Sequence, residues 1–162
     1  EGLSPKENRE VPPLRYETVH RLKRDFPSFE IVLNGGLTDD DEIERQLAHV
    51  DGVMIGREAY HNPWSMAGWD ARFLGADPPG ARRREDVEAA MVDYMARCRR
   101  DEGLPWSHAA RHMLGLWNGT PGARAWRRVW SDHRLKGEDV RTVARLAAER
   151  RLEAAFAALA PA

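Results

Sequence analysis

The stretch EIVLNGGLTDDDEIERQL, residues 30–47, decides how the first half of this chain folds. Ile31-Val32-Leu33 is a short apolar, largely β-branched run that reads as a strand, and Asn-Gly directly after a strand is a strong hairpin signal. A hairpin needs its second strand at once. Instead the chain continues with Asp39-Asp40-Asp41-Glu42, acidic residues suited to the first turn of a helix, where they offset the helix dipole. Thr38 is the expected N-cap, with Ile43 and Leu47 as the buried stripe. The next strand candidate is Gly52-Val53-Met54-Ile55, which ends at Gly56-Arg57. Strand, helix and strand with short connections make a parallel β-α-β order, whose apolar strands are buried on both faces. Asn34-Gly35-Gly36 is therefore expected to be a strand-end turn at the mouth of a helix.

Working outward, residues 2–14 are polar with prolines at 5, 12 and 13 and read as a loop. A helix is expected from about Arg15 to Phe26, with Val19, Leu22 and Phe26 on one face and Pro27 as its stop. After Pro63 the pattern is helical throughout. The segment DPPGARRRED (77–86) is the best linker, with Arg82-Arg83-Arg84 read as a solvated charge cluster. Val87, Ala90, Met91, Tyr94, Met95 and Cys98 form an amphipathic stripe on a helix that Gly103 ends. Further helices are expected at 107–117, after Thr120-Pro121 (N-cap and first-turn proline), and at about 138–159. The expected fold class is α/β plus all-α, divided at 78/79 into an α/β part (1–78) and a helical bundle (79–162).

Composition sets the bounds. The 162 residues are 42% hydrophobic and 31% charged, which suits a helix-rich globular chain. No apolar run approaches the roughly 20 residues of a membrane span. The single Cys98 fits a reducing compartment, so the expected location is cytoplasmic, and as a buried thiol on a helix it has no expected role in catalysis. Neither Cys98 nor the six histidines show metal-ligand spacing, and no Ser/His/Asp arrangement stands out. The net charge of −1 conceals a split. Residues 1–81 carry 9 Lys/Arg against 15 Asp/Glu, whereas 82–162 carry 16 against 11. Such asymmetry suggests that the second half faces an anionic partner.

Two places carry candidate chemistry. In parallel α/β folds ligands sit at the carboxyl ends of strands, and here both strand ends carry glycine, which lets backbone N–H groups approach an anion. Asn34, Gly35, Gly36 and Gly56 are thus candidates for a phosphate site, with Arg57 adding a charge-assisted grip and REAYHNP (57–63) about the length of the short extra helix of barrel phosphate sites. On spacing alone, tight turns explain these glycines equally well. In the second half, Arg124, Arg127 and Arg128 share one helix face at i, i+3 and i+4, a footprint suited to nucleic-acid phosphates; a solvated helix face is the alternative. Trp126 and Trp130 take another face and are expected in the core. Arg111 and His112 are weaker candidates for the same partner.

The segments GLSPKENREVPPL, NGGL, DGVMIGREAYHNPW and RHMLGLWNGTPGARAWRR, in this order, resemble the tRNA-dihydrouridine synthases of the A subfamily. The resemblance covers almost the whole chain. It implies the last two β/α units of an incomplete (β/α)8 TIM barrel followed by a helical tRNA-binding domain, in an enzyme that binds FMN and uses NADPH to reduce D-loop uridines to 5,6-dihydrouridine. It also implies that Asn34, Gly35, Gly36, Gly56 and Arg57 hold the FMN phosphate, and that Lys6, Asn8, Arg9, Arg124, Arg127 and Arg128 touch tRNA. The family's catalytic cysteine and flavin-contacting lysine and histidine fall in a first barrel half that this sequence lacks, so no catalytic residue is assigned and the piece alone is expected to be inactive. Exposed strand edges are expected to lead to self-association or to cover by the missing half. Two other readings stay open: a stand-alone RNA-binding helical module with a structural α/β remnant, and a phosphate-binding barrel enzyme of unrelated chemistry.

Overall fold

A computed structural model of the chain describes residues 4, 7, 13–77 and 83–159. By its contacts the chain divides into two compact units, Glu1–Glu58 and Ala59–Ala162. That division lies ahead of the 78/79 boundary expected from the linker composition, because the segment after Ala59 packs with the helical residues.

The first unit contains α1 (Tyr16–Asp25), β1 (Val32–Asn34), α2 (Asp40–Leu47) and β2 (Gly52–Met54). The strands pair in parallel, with Val32 opposite Gly52, Leu33 opposite Val53 and Asn34 opposite Met54. There is no hairpin between them, as the run of acidic residues after Gly36 implies. The cap differs from expectation: Asp39, not Thr38, is the N-cap of α2, its Oδ1 accepting the Glu42 N–H at 2.8 Å. An ionised carboxylate is the stronger acceptor and suits the positive helix end. The core is Leu33, Leu37, Ile43 and Val50. Gln46 takes the inward place expected for Leu47, and its Oε1 lies 2.7 Å from His20 Nε2.

β1 is not buried on both faces. Leu33 is inside, but Val32 is 53% exposed and Met54 47%. The helix α1 also buries no residue completely; Leu22 and Phe26 remain about half exposed. What ties α1 to the sheet is polar. Lys23 Nζ donates to the Pro27 and Phe29 carbonyls at 3.0 and 2.8 Å and pairs with Asp51 at 2.7 Å. The same carboxylate accepts the Ile31 N–H at 2.8 Å, and these bonds, Lys23 first, hold the Asp51 carboxyl below its usual range.

The second unit runs from within the short helix α3 (Arg57–His61) through a 3-10 turn (Pro63–Gly68) and α4 (Trp69–Phe73) to α5 (Arg84–Glu102), α6 (Ser107–Ala110), α7 (Ala123–Trp130), a 3-10 turn (His133–Leu135) and α8 (Val140–Leu159). Gly103 closes α5 in a left-handed conformation, as its position suggests. The helix expected over 107–117 stops at Ala110 and continues as consecutive turns to Gly119. Thr120 does not cap α7. Its hydroxyl donates back to the Trp117 carbonyl at 2.8 Å, and α7 starts from Gly122. Gly122 has φ +78°, and a Cβ there would strike the Arg151 carbonyl oxygen of α8, so only glycine fits. This close approach is what lets α7 pack along α8.

The stripe on α5 also differs. The residues turned inward are Glu88, Val92 and Met95, while Val87, Ala90 and Tyr94 are exposed and Cys98 is half-buried beside Tyr94. The reason is Glu88, only 8% exposed, whose carboxylate accepts three indole N–H groups: Trp126 at 2.7 Å and Trp130 at 3.3 Å on Oε1, and Trp117 at 3.0 Å on Oε2. A buried carboxylate must be fully hydrogen-bonded, and three donors turn α5 until Glu88 faces them. Trp106, Trp117, Trp126 and Trp130 join Met95, Met113, Leu116 and Val143 in one apolar core. Trp126 and Trp130 are thus core residues, as expected.

Candidate functional site

In the parallel pair Asn34 lies opposite Met54, so the residues beyond each strand leave the sheet at the same end. Gly35-Gly36 and Ile55-Gly56-Arg57 are therefore side by side at the carboxyl edge. Gly36 has φ +65°, a left-handed conformation that glycine adopts without strain. Its open side is packed under Leu14: a Cβ on Gly36 would run into Leu14 Cδ1, and one on Gly35 would meet Leu14 Cδ2 at 3.2 Å. Tyr16 Oη donates to the Gly35 carbonyl at 2.7 Å, which fixes the turn's plane, and burial pushes the Tyr16 phenol up. The carbonyl is thereby occupied, while no turn or cap bond to a described backbone carbonyl engages the N–H of Gly35, Gly36 or Gly56. Gly56 needs no special backbone angle, and a Cβ there would find only Met54 Sδ at 3.7 Å. Arg57 is exposed and opens α3. Backbone donors outside the turn bonds, two adjacent turns and a guanidinium together fit a phosphate-bearing cofactor.

The second candidate is on α7. Ala123, Trp126, Val129 and Trp130 face the core, and Arg124, Arg127 and Arg128 are exposed on the remaining face. No ion pair among the described residues neutralises these arginines. The core side is held by the Glu88 bonds and by α8, so the charged face has a set direction. Lys6, Asn8 and Arg9 lie outside the described residues.

Across residues 2–155 the sequence matches the family model for dihydrouridine synthase (Dus). The chain belongs to the dihydrouridine synthase family. It is 47% identical over 136 residues to the tRNA-dihydrouridine(20/20a) synthase of Shewanella oneidensis, covering 84% of this chain and 40% of that protein. The enzymes of the same name from Salmonella typhimurium and Pseudomonas putida are 49% identical over 140 residues and 50% over 131, covering 86% and 81% of this chain and 42% and 38% of theirs. The chain thus spans about two-fifths of the length of these relatives.

Several residues of this chain that shape the two places are not marked by any sequence pattern. Glu88 belongs to an acidic and basic run that reads as solvent-exposed. Arg84, expected in a solvated cluster, is half-buried: its Nε donates to the Leu116 carbonyl at 2.9 Å and its guanidinium lies 4.7 Å from the Trp64 ring centre. Burial pulls its charged form down. Arg83 behaves as expected, exposed and paired with Asp86 at 2.7 Å, and Arg82 lies outside the described residues. Arg151 stacks on Trp117, its guanidinium 3.5 Å from the ring centre. Two arginines thus lie over tryptophan faces. In the first unit, Leu14 and Tyr16 shape the glycine turn, and the only sequence hint is that they come directly after the proline-rich loop.

Among the described residues no group of three or more His, Cys, Asp or Glu is placed to hold a metal. No helix among them is long and apolar enough to cross a membrane.

Proposed function

We propose that this chain is the C-terminal part of an FMN- and NADPH-dependent tRNA-dihydrouridine synthase that reduces D-loop uridines of tRNA in the cytoplasm. The observation that carries this reading is the side-by-side exit of Gly35-Gly36 and Gly56-Arg57 in a chain of this family. Asn34, Gly35, Gly36, Gly56 and Arg57 hold the FMN phosphate: the backbone N–H groups donate to its oxygens, Leu14 and Tyr16 hold the turn rigid, and Arg57 supplies the charge. FMN, once bound, supplies hydride chemistry. The residues of this chain anchor and orient; none of them is assigned a proton transfer. β1 and β2 are the last two strands of a (β/α)8 barrel, and the exposed Val32 and Met54 faces support cover by the rest of that barrel or by a second copy.

The helical unit binds tRNA through Arg124, Arg127 and Arg128, with Lys6, Asn8 and Arg9 contributing from the other unit. Phosphate contacts of this kind position an RNA without reading its sequence. In the full-length enzyme the double variant Arg124→Ala, Arg127→Ala tests this. Its tRNA affinity falls, and the dependence of log K on log salt flattens by roughly one unit for each phosphate that is no longer neutralised. Unchanged affinity and slope would remove these arginines from the tRNA contact.

A further inference from the structure

The helical unit carries a cluster of exposed aromatic and basic side chains apart from the α7 arginines. Tyr60 is 52% exposed and stands edge-on to His61 and His112, with ring centres 5.8 Å from each. Its Oη lies 3.0 Å from His112 Nδ1, and His112 Nε2 accepts from Arg111 Nε at 3.0 Å. Arginine is always a donor, so Nε2 is the acceptor, Nδ1 carries the hydrogen, and the bond runs from His112 to the tyrosine oxygen. Only Nε of Arg111 is engaged among the described residues, which leaves both Nη groups of an exposed guanidinium available.

The scaffold beneath is firm. Gly115 approaches the His61 carbonyl so closely that any Cβ would collide with it, and Asn118 Nδ2 reaches the same oxygen at 3.4 Å. His112 also lines a groove of about 340 Å³ with Met91, Tyr94, Cys98, Leu104 and His108. Tyr94 is 47% exposed, and no carboxylate is among the lining residues. Arg111, His108 and Lys136 line the adjoining hollow, together with Asp132, whose carboxylate is taken up by Arg134.

We infer that the surface around His112 takes unpaired nucleotides of the RNA, one base against the Tyr94 ring in the groove and one against the Tyr60 ring on the other side of His112, with a phosphate on the Nη groups of Arg111. Half-exposed aromatic rings beside a cationic rim are the chemistry that retains single-stranded bases, since every base offers a π-face. The rim would attract an acidic peptide as well, but the two tyrosine rings suit a flat base better than a carboxylate side chain. The inference rests on the RNA-binding part of the proposed function and adds a contact that the phosphate-binding arginines of α7 do not make.

The test uses the full-length enzyme and three probes: tRNA, a short unstructured oligoribonucleotide, and an RNA duplex of the same length. Tyr60→Ala and Tyr94→Ala each weaken binding of tRNA and of the single strand by roughly fivefold or more, as loss of one stacked base requires, and leave the duplex unaffected. Tyr60→Phe, which keeps the ring, stays close to wild type. If both alanine variants bind the single strand like wild type while Arg124→Ala, Arg127→Ala loses tRNA, the groove is not a nucleotide site and the tRNA reading stands. If no variant changes tRNA affinity, both readings fall together. Equal losses on duplex and single strand also overturn the groove.

Discussion

At the scale of single residues, Glu88 and the two strand-end glycines carry the most specific expectations. Glu88→Gln removes one of two carboxylate oxygens and puts an N–H in its place. At least one of the indole donors of Trp117, Trp126 or Trp130 then faces another donor. A buried donor without a partner costs about 1–3 kcal/mol, so the thermal midpoint falls and the corresponding indole N–H resonance moves. Unchanged midpoint and indole resonances would mean that the three bonds contribute nothing. Gly36 and Gly56 separate structure from function. Gly36→Ala forces a side chain into a left-handed backbone and into Leu14, with a loss of about 1–2 kcal/mol from the backbone alone. Gly56→Ala has room for its methyl and should leave the thermal midpoint unchanged. The variant keeps the Gly56 N–H, so a loss of flavin at full stability would mean that the added methyl displaces the phosphate from the cradle.

At the scale of elements, the order strand, helix, strand and the helical second half are both readable from residues 30–57 and from the later helical periodicity. Parallel pairing is implied by Asp39–Glu42, since an acidic helix start directly after Asn34-Gly35-Gly36 leaves no place for a hairpin strand. The arginine face and the buried tryptophans of α7 are likewise visible in their spacing. What spacing does not convey is the phase of α5, because the residue that sets it is charged. Glu88 counts as solvent-facing in any hydrophobic pattern, and only the three distant indoles make it a core residue. Arg84 is hidden for the same reason, since a guanidinium stacked on Trp64 is indistinguishable in sequence from its exposed neighbour Arg83. The 3-10 turn after α7 yields a pH prediction. The Asp132 carboxylate grips the Arg134 side chain at 2.7 Å and its Oδ1 accepts the Arg134 backbone N–H at 2.9 Å, and these bonds, the side chain first, lower its pKa from 3.8 to about 2. A depressed folded-state pKa contributes stability that is present above about 4 and lost as pH falls toward about 2. Asp132→Asn should therefore flatten the acid side of the thermal midpoint against pH in that window, with little change in slope above it.

At the scale of the whole molecule, two compact units divide the work. The α/β unit offers backbone donors and Arg57 at the carboxyl edge of a parallel pair, and the helical unit offers a fixed arginine face and an aromatic groove. Each unit is built so that its charged or glycine-bearing surface has a set direction: Tyr16 and Leu14 hold the first, and Glu88 with its three tryptophans holds the second. The central claim, that the strand ends of this family member anchor the phosphate of FMN, is tested most directly by comparing two flavins. FMN carries the phosphate and riboflavin does not. In the full-length enzyme Arg57→Ala should weaken FMN binding by roughly tenfold or more, the worth of a charge-assisted hydrogen bond, and leave riboflavin affinity unchanged. An FMN-to-riboflavin affinity ratio equal to that of the wild type would contradict it.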